Sequence, residues 1–199
     1  MIKKSQLTIL SIVTTMLLVF TFNSGCNKTD PAVTRALDSL DRTIAQTEDL
    51  LTLDFNTIMN RKSLILMHIS MMKQYYTEEI PEELALMMIK CKGISKTYGR
   101  YVENYPGVYN EHQELKKQAA DLRTSITKGE IERDAFSEYY KKEMDDAQSN
   151  LEEARKICGV IPSLEPDYQR ISRRVQSELL NIAENNDELK AKLESLMQE

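Results

Sequence analysis

Beyond residue 30, apolar positions recur in steps of three and four with polar residues between them, the spacing of one buried face on an α-helix. The first such run reads Leu37, Leu40, Ile44, Thr47, Leu51, Phe55, Ile58. It predicts a helix from the Asp30-Pro31 start to about Tyr76. Asp can cap free N–H groups, and Pro suits the first turn. "TEEIPEE" interrupts the pattern. A second helix, opening at Pro81 with Glu82 and Glu83, follows Leu84, Met87, Cys91, Ile94, Tyr98, Tyr101, Tyr105, a strict heptad. Pro106-Gly107 is expected to interrupt or kink it. The pattern resumes as Val108, His112, Leu115, Ala119, Leu122, Ile126, and Lys128-Gly129 is a stop.

A third helix, about Glu130 to Cys158, turns Phe136, Tyr140, Met144, Ala147, Leu151, Ala154 and Cys158 inward, and Gly159 and Pro162 end it. A fourth, about Ser163 to Met197, follows Leu164, Tyr168, Ile171, Val175, Leu179, Ile182, Leu189, Leu193 and Leu196, with Asn186 as a register-setting polar residue on its seam. Short connections make consecutive helices antiparallel neighbours. The expected fold is all-α: an elongated antiparallel bundle or coiled coil of about four long helices, one domain over 30–199.

Helical rise makes the first two helices roughly 70 Å long and the last two about 45–55 Å. If each reverses on the one before, the first hairpin overshoots the others over about residues 61–97. That segment holds "SLILMHISMMKQYY" and "IPEELALMMIKC", apolar on every side. A helix apolar all round needs cover all round. Two outcomes are open. The first helix breaks near Asn56 or Asn60 and its upper half folds against the other helices, or the tip docks on a partner. In the second case Met67, Met71, Met72, Tyr76, Leu86, Met87 and Met88 form the contact, with a second copy or another envelope protein.

The N-terminal end has a different pattern. Lys3 and Lys4 precede an apolar run from Leu7 to Phe22, which closes on Ser24-Gly25-Cys26. The run has secretory length, short of a membrane span. It resembles a bacterial lipoprotein signal, and the resemblance covers residues 1–26. It implies a signal peptide over 1–25, cleavage before Cys26, and a lipid on that thiol that holds the chain to the membrane. Residues 26–29 are then the lipidated cysteine and a tether that reaches at most about 14 Å. The positive n-region puts residues 27–199 outside the cytoplasm. Asn27, where lipoproteins kept at the inner membrane often carry Asp, implies the outer membrane in a two-membrane bacterium. An uncleaved, tilted N-terminal anchor is the alternative.

Charge and composition narrow the functional classes. Removing Lys3 and Lys4, the only charged residues in 1–25, takes the formal charge from −5 to −7, which argues against nucleic acid as a partner. Candidate chemistry is sparse. Met67, His68, Met71, Met87 and Cys91 could supply soft ligands to a cuprous ion, but the same residues continue the apolar fill, and no cofactor is expected. His112 lies on a seam, where a hydrogen-bonded core histidine is the simpler reading. Cys91 and Cys158 would be favoured to pair in an oxidising compartment, though helical rise places them at different heights. Tyr98, Tyr101, Tyr105 and Tyr109 form a stripe better explained by packing than by sugar stacking. The carboxylates of "GEIERDAFSEYYKKEMDD" are interleaved with cations. No nucleophile, phosphate-loop or zinc-protease motif occurs, and an enzyme is not expected. The expected function is a lipid-anchored scaffold, interaction or assembly module of the cell envelope. A periplasmic binding protein with an apolar ligand or metal among its helices is the alternative.

Overall fold

The computed structural model describes residues 30–76 and 79–196. The expected signal peptide, Cys26 and the expected tether lie outside the described residues. Among the described residues six helices follow in order: α1 (Pro31–Leu50), α2 (Phe55–Tyr75), α3 (Glu82–Lys128), α4 (Arg133–Cys158), α5 (Ile161–Ala183) and α6 (Asp187–Leu196). There is no strand among the described residues. The all-α bundle of long antiparallel helices expected from the pattern is present. None of the described helices is long and apolar enough to cross a membrane.

Local chemistry sets most of the ends. The Asp30 side chain accepts from the Ala32 N–H at 2.8 Å, with Pro31 in the first turn. Gly129 closes α3 with φ 71°, a left-handed conformation that costs glycine little. The Glu130 N–H then reaches the Ser125 carbonyl at 2.8 Å. Asn186 is not a seam residue as expected. Its side chain accepts from the Leu189 N–H at 3.0 Å and starts α6.

The first predicted helix is divided. It stops at Leu51 and restarts at Phe55, because the Asp54 carboxylate accepts from the N–H groups of Asn56 and Thr57, both at 3.2 Å. The break falls a few residues before the expected Asn56 or Asn60. By contrast, α3 runs for 47 residues straight through Pro106. The heptad keeps its phase across the proline: Tyr101, Val108, His112 and Leu115 are all buried. One seam packed against two neighbours keeps the helix intact despite a missing N–H.

The largest departure is the connection from α4 to α5. Gly159 and Val160 both keep right-handed helical backbone, with φ −60° and −83°. The chain therefore does not reverse there, and Pro162 fits the first turn of α5. Cross-chain contacts give the resulting topology. Going up α1 and α2, Asp41 pairs with Arg123 at 2.5 Å, Glu48 with Lys116 at 2.7 Å, and the Leu53 carbonyl with the Tyr101 hydroxyl at 3.1 Å. Going up α4 and α5, Asn150 reaches the Val108 carbonyl at 3.1 Å, the Tyr168 ring lies 6.0 Å from Tyr98, and Arg174 and Glu178 flank Leu84 and Met87. Between those two columns, Thr43 meets Met144 at 3.7 Å, Arg61 pairs with Glu165, and Tyr75 donates to Glu188 at 2.6 Å.

The molecule is thus three rods. The α1–α2 and α4–α5 rods run parallel to each other, and both run antiparallel to α3. The upper half of the first hairpin does not overshoot. It is covered by α5 and then by α6, and Ile171, Val175, Leu179 and Leu189 are all at most 1% exposed. Of the two outcomes left open by the sequence, the first, a divided helix covered by its own chain, is the one found.

Truncating a fully buried side chain high on α5 should cost as much as truncating one at the base. Leu179→Ala and Leu40→Ala should each lose about 2–5 kcal/mol in denaturant melts. An α5 that covered nothing would lose far less.

Candidate functional site

The upper segment around α2 and the start of α3 holds every residue proposed for a partner or metal. Ile65, His68, Met71, Met72 and Tyr75 form the inner face of α2, and Leu84, Cys91 and Ile94 that of α3. Met71 is 2% exposed and Met72 fully enclosed. These two are core, not docking surface, because α5 and α6 occupy the space a partner was expected to fill. Met67, Tyr76, Met87 and Met88 are partly buried against the same cluster. Leu86 is open, at 53%, and sequence reasoning missed two open neighbours, Leu66 at 48% and Ile89 at 66%. They carry no periodicity signal, since they lie off the heptad seam.

The soft-ligand set Met67, His68, Met71, Met87 and Cys91 lies in or against this apolar cluster. Among the described residues no three His, Cys, Asp or Glu side chains are grouped to hold a metal ion. Cys91 and Cys158 are buried and free. Cys158 acts electrostatically on Tyr101 and Tyr105, and Cys91 on Tyr168. They therefore sit at different heights, on the order of 15–20 Å apart by helical rise. Burial pushes both thiols up to about 11, which leaves little nucleophilic thiolate at neutral pH.

The tyrosine stripe is core packing with a second task. Tyr98 and Tyr101 are fully enclosed, and Tyr109 is exposed. The Tyr101 and Tyr105 hydroxyls donate to the carbonyls of Leu53 and Leu51, each at 3.1 Å. These carbonyls lie where α1 ends, so the phenols satisfy backbone acceptors that the helix break releases. Phe55 stacks on Tyr105 with ring centres 5.5 Å apart.

Just below that break, each rod contributes one enclosed polar side chain: Thr47, His112 and Asn150, each 1% exposed. They share one height, since Glu48 pairs with Lys116 and Asn150 reaches both Val108 and Glu111. The layer separates two apolar clusters. One is based on Leu37, Leu40, Ile44, Ala119, Leu122, Phe136 and Ala147, and the other begins at Leu51, Val108 and Ala154. Neither nitrogen of His112, nor Oδ1 of Asn150, has a hydrogen-bond partner among the described residues. The expected hydrogen-bonded core histidine is therefore in the core but unbonded. Burial lowers its pKa, with Glu48 opposing and Lys116 adding to the shift. Sequence reasoning passed over Asn150, which stands between Ala147 and Leu151 on the predicted seam.

No protein family, characterised protein or solved structure matches the chain.

Both histidines, His68 and His112, are held below the ordinary 6.5 by burial. In the folded state they resist a proton that the unfolded chain accepts. Their contribution is complete above 6.5 and is lost as pH falls below it. The depressed carboxyls of Glu48 and Asp54 act only lower, from about 4.5 and 3.8 downward. Denaturant melts should therefore begin to lose stability as pH falls below 6.5. His112→Leu should flatten part of that loss and be neutral or stabilising at pH 7. A loss above about 2 kcal/mol at pH 7 would mean that the imidazole makes a needed hydrogen bond.

Proposed function

We propose that this chain is a lipid-anchored, extracytoplasmic helical rod that acts by binding other proteins of the cell envelope, as a spacer or scaffold. The observation that carries the reading is where α1 begins. Its cap, Asp30, stands four positions after Cys26 in the segment that resembles a lipoprotein signal. A root that close to an acylated cysteine leaves almost no slack. The 47-residue α3 spans roughly 70 Å, so the rod would carry its upper segment that far from the bilayer when upright.

The composition and seams support binding rather than catalysis. The titratable residues with depressed pKa values inside the bundle are single core histidines, not a convergent acid–base set. The contact residues differ from the first expectation. Leu66, Leu86 and Ile89 are exposed on the upper segment, whereas Met71 and Met72 are committed to the core. Leu86 and Ile89, three apart on α3, lie on one outward face. The partner is a second copy or another envelope protein.

Two experiments test this reading. Cys26→Ser should release the protein from membranes into the soluble extracytoplasmic fraction, and retention on the membrane would contradict the anchor. Leu86→Glu with Ile89→Glu should abolish crosslinking to the partner in intact envelopes with an unchanged melting temperature. Met71→Glu should instead unfold the upper segment, because it buries an unpaired charge. A crosslink that survives the paired change would contradict this contact face.

A further inference from the structure

All three rods are weakened at the same height. The α1–α2 rod is non-helical from Leu51 to Asp54. The facing part of α3 holds Pro106 and Gly107, identified by the Tyr101 and Tyr105 hydroxyls on the carbonyls of Leu53 and Leu51. The α4–α5 rod changes helix at Gly159 and Val160, next to Cys158, which acts on those same two phenols. Irregularities of three kinds thus coincide at one height: a break between helices, a proline inside a continuous helix, and a helix-to-helix junction.

Each irregularity has its own physical cause. Asp54 caps a new helix with its carboxylate. Pro106 has no N–H to donate to the Val102 carbonyl. Gly159 is tightly wound: a Cβ there would stand 2.6 Å from the Arg155 carbonyl oxygen, so an ordinary side chain would force the junction apart. Polar groups also gather on either side of this level. On the base side lies the Thr47–His112–Asn150 layer, with unpaired polar atoms and a boundary between the two apolar clusters. On the α3–α4 side a crevice of about 340 Å³ opens among Thr97, Arg100, Asn104, Glu153, Lys156, Ile157 and Val160. Its walls are part polar and part apolar.

We infer that the molecule is two rigid segments coupled by a joint at this level. The base segment is α1, α4 and the part of α3 beyond His112. The upper segment is α2, α5, α6 and the part of α3 before Tyr101. Sharp helix bends occur at prolines and interrupted ladders, and here a bend in one rod meets no continuous ladder in either neighbour. With a base and an upper arm each of roughly 30 Å, a tilt near 20° moves the far end on the order of 10 Å. The tyrosines limit the swing, because their hydroxyls hold α3 to the α1–α2 break. The joint does not depend on the lipid anchor or on the identity of a partner.

Residual dipolar couplings of backbone amides test the joint directly on the isotopically labelled full-length chain. The expected result is that each segment fits its own alignment tensor, that no single tensor fits both, and that the two tensors differ in strength. Unequal strength reports reorientation faster than milliseconds. Pro106→Ala, which restores the missing donor, should bring the two strengths closer. One tensor for the whole rod would overturn the joint. So would two tensors of equal strength, which describe a fixed bend, or a Pro106→Ala variant with an undiminished difference.

Discussion

The structure depends on the burial of one surplus apolar surface. Between about residues 61 and 97 the chain makes two helical stretches with apolar side chains all round, and two helices cannot cover each other on every side. The solution is a third rod that keeps going. Gly159 and Val160 hold helical backbone, so α5 climbs past α4 and lies along the exposed flank of α2 and α3. Had the chain turned back after Cys158, Met71, Met72 and Leu84 would face water. Burying a large apolar side chain is worth about 1.5–3 kcal/mol, and several such side chains outweigh the hydrogen bonds interrupted at a short junction.

That junction also explains which parts of the fold could be read from the sequence. The seams could, because a heptad records which face is buried whatever covers it. Leu37, Leu40 and Ile44, or Val175 and Leu179, lie inward in the structure as their spacing indicates. The direction of the last rod could not. Gly followed by a nearby Pro commonly ends a helix, and the same residues here permit a tight continuation. Nothing local separates the two outcomes, and the difference is decided by long-range packing. The Asp54 break was legible in principle, as an Asp three residues before Thr57, but the apolar phase continues through it and hides it.

The candidate contact residues show the same division. Residue types located the apolar upper segment, since composition is independent of topology. Which members remain open depended on the third rod. Met71 and Met72 went inside, and Leu66, Leu86 and Ile89, outside any seam, stayed in water. The polar layer of Thr47, His112 and Asn150 was half legible: two of its members sit on recorded seams, while Asn150 falls between seam positions. Polar residues in a core commonly fix register, and here one comes from each rod at a single height.

The direction of the third rod is the central claim, and one distance tests it most directly. Spin labels placed on cysteines at the exposed Gln74 and Asp187, in a chain carrying Cys26→Ser, can be read by pulsed electron resonance, while the buried Cys91 and Cys158 stay unreactive because burial raises their pKa values. Since Tyr75 and Glu188 are hydrogen-bonded, the account predicts a separation below roughly 25 Å, allowing for the labels. A fourth helix that returned toward the base would put these positions more than about 35 Å apart by helical rise, and that result would contradict the account.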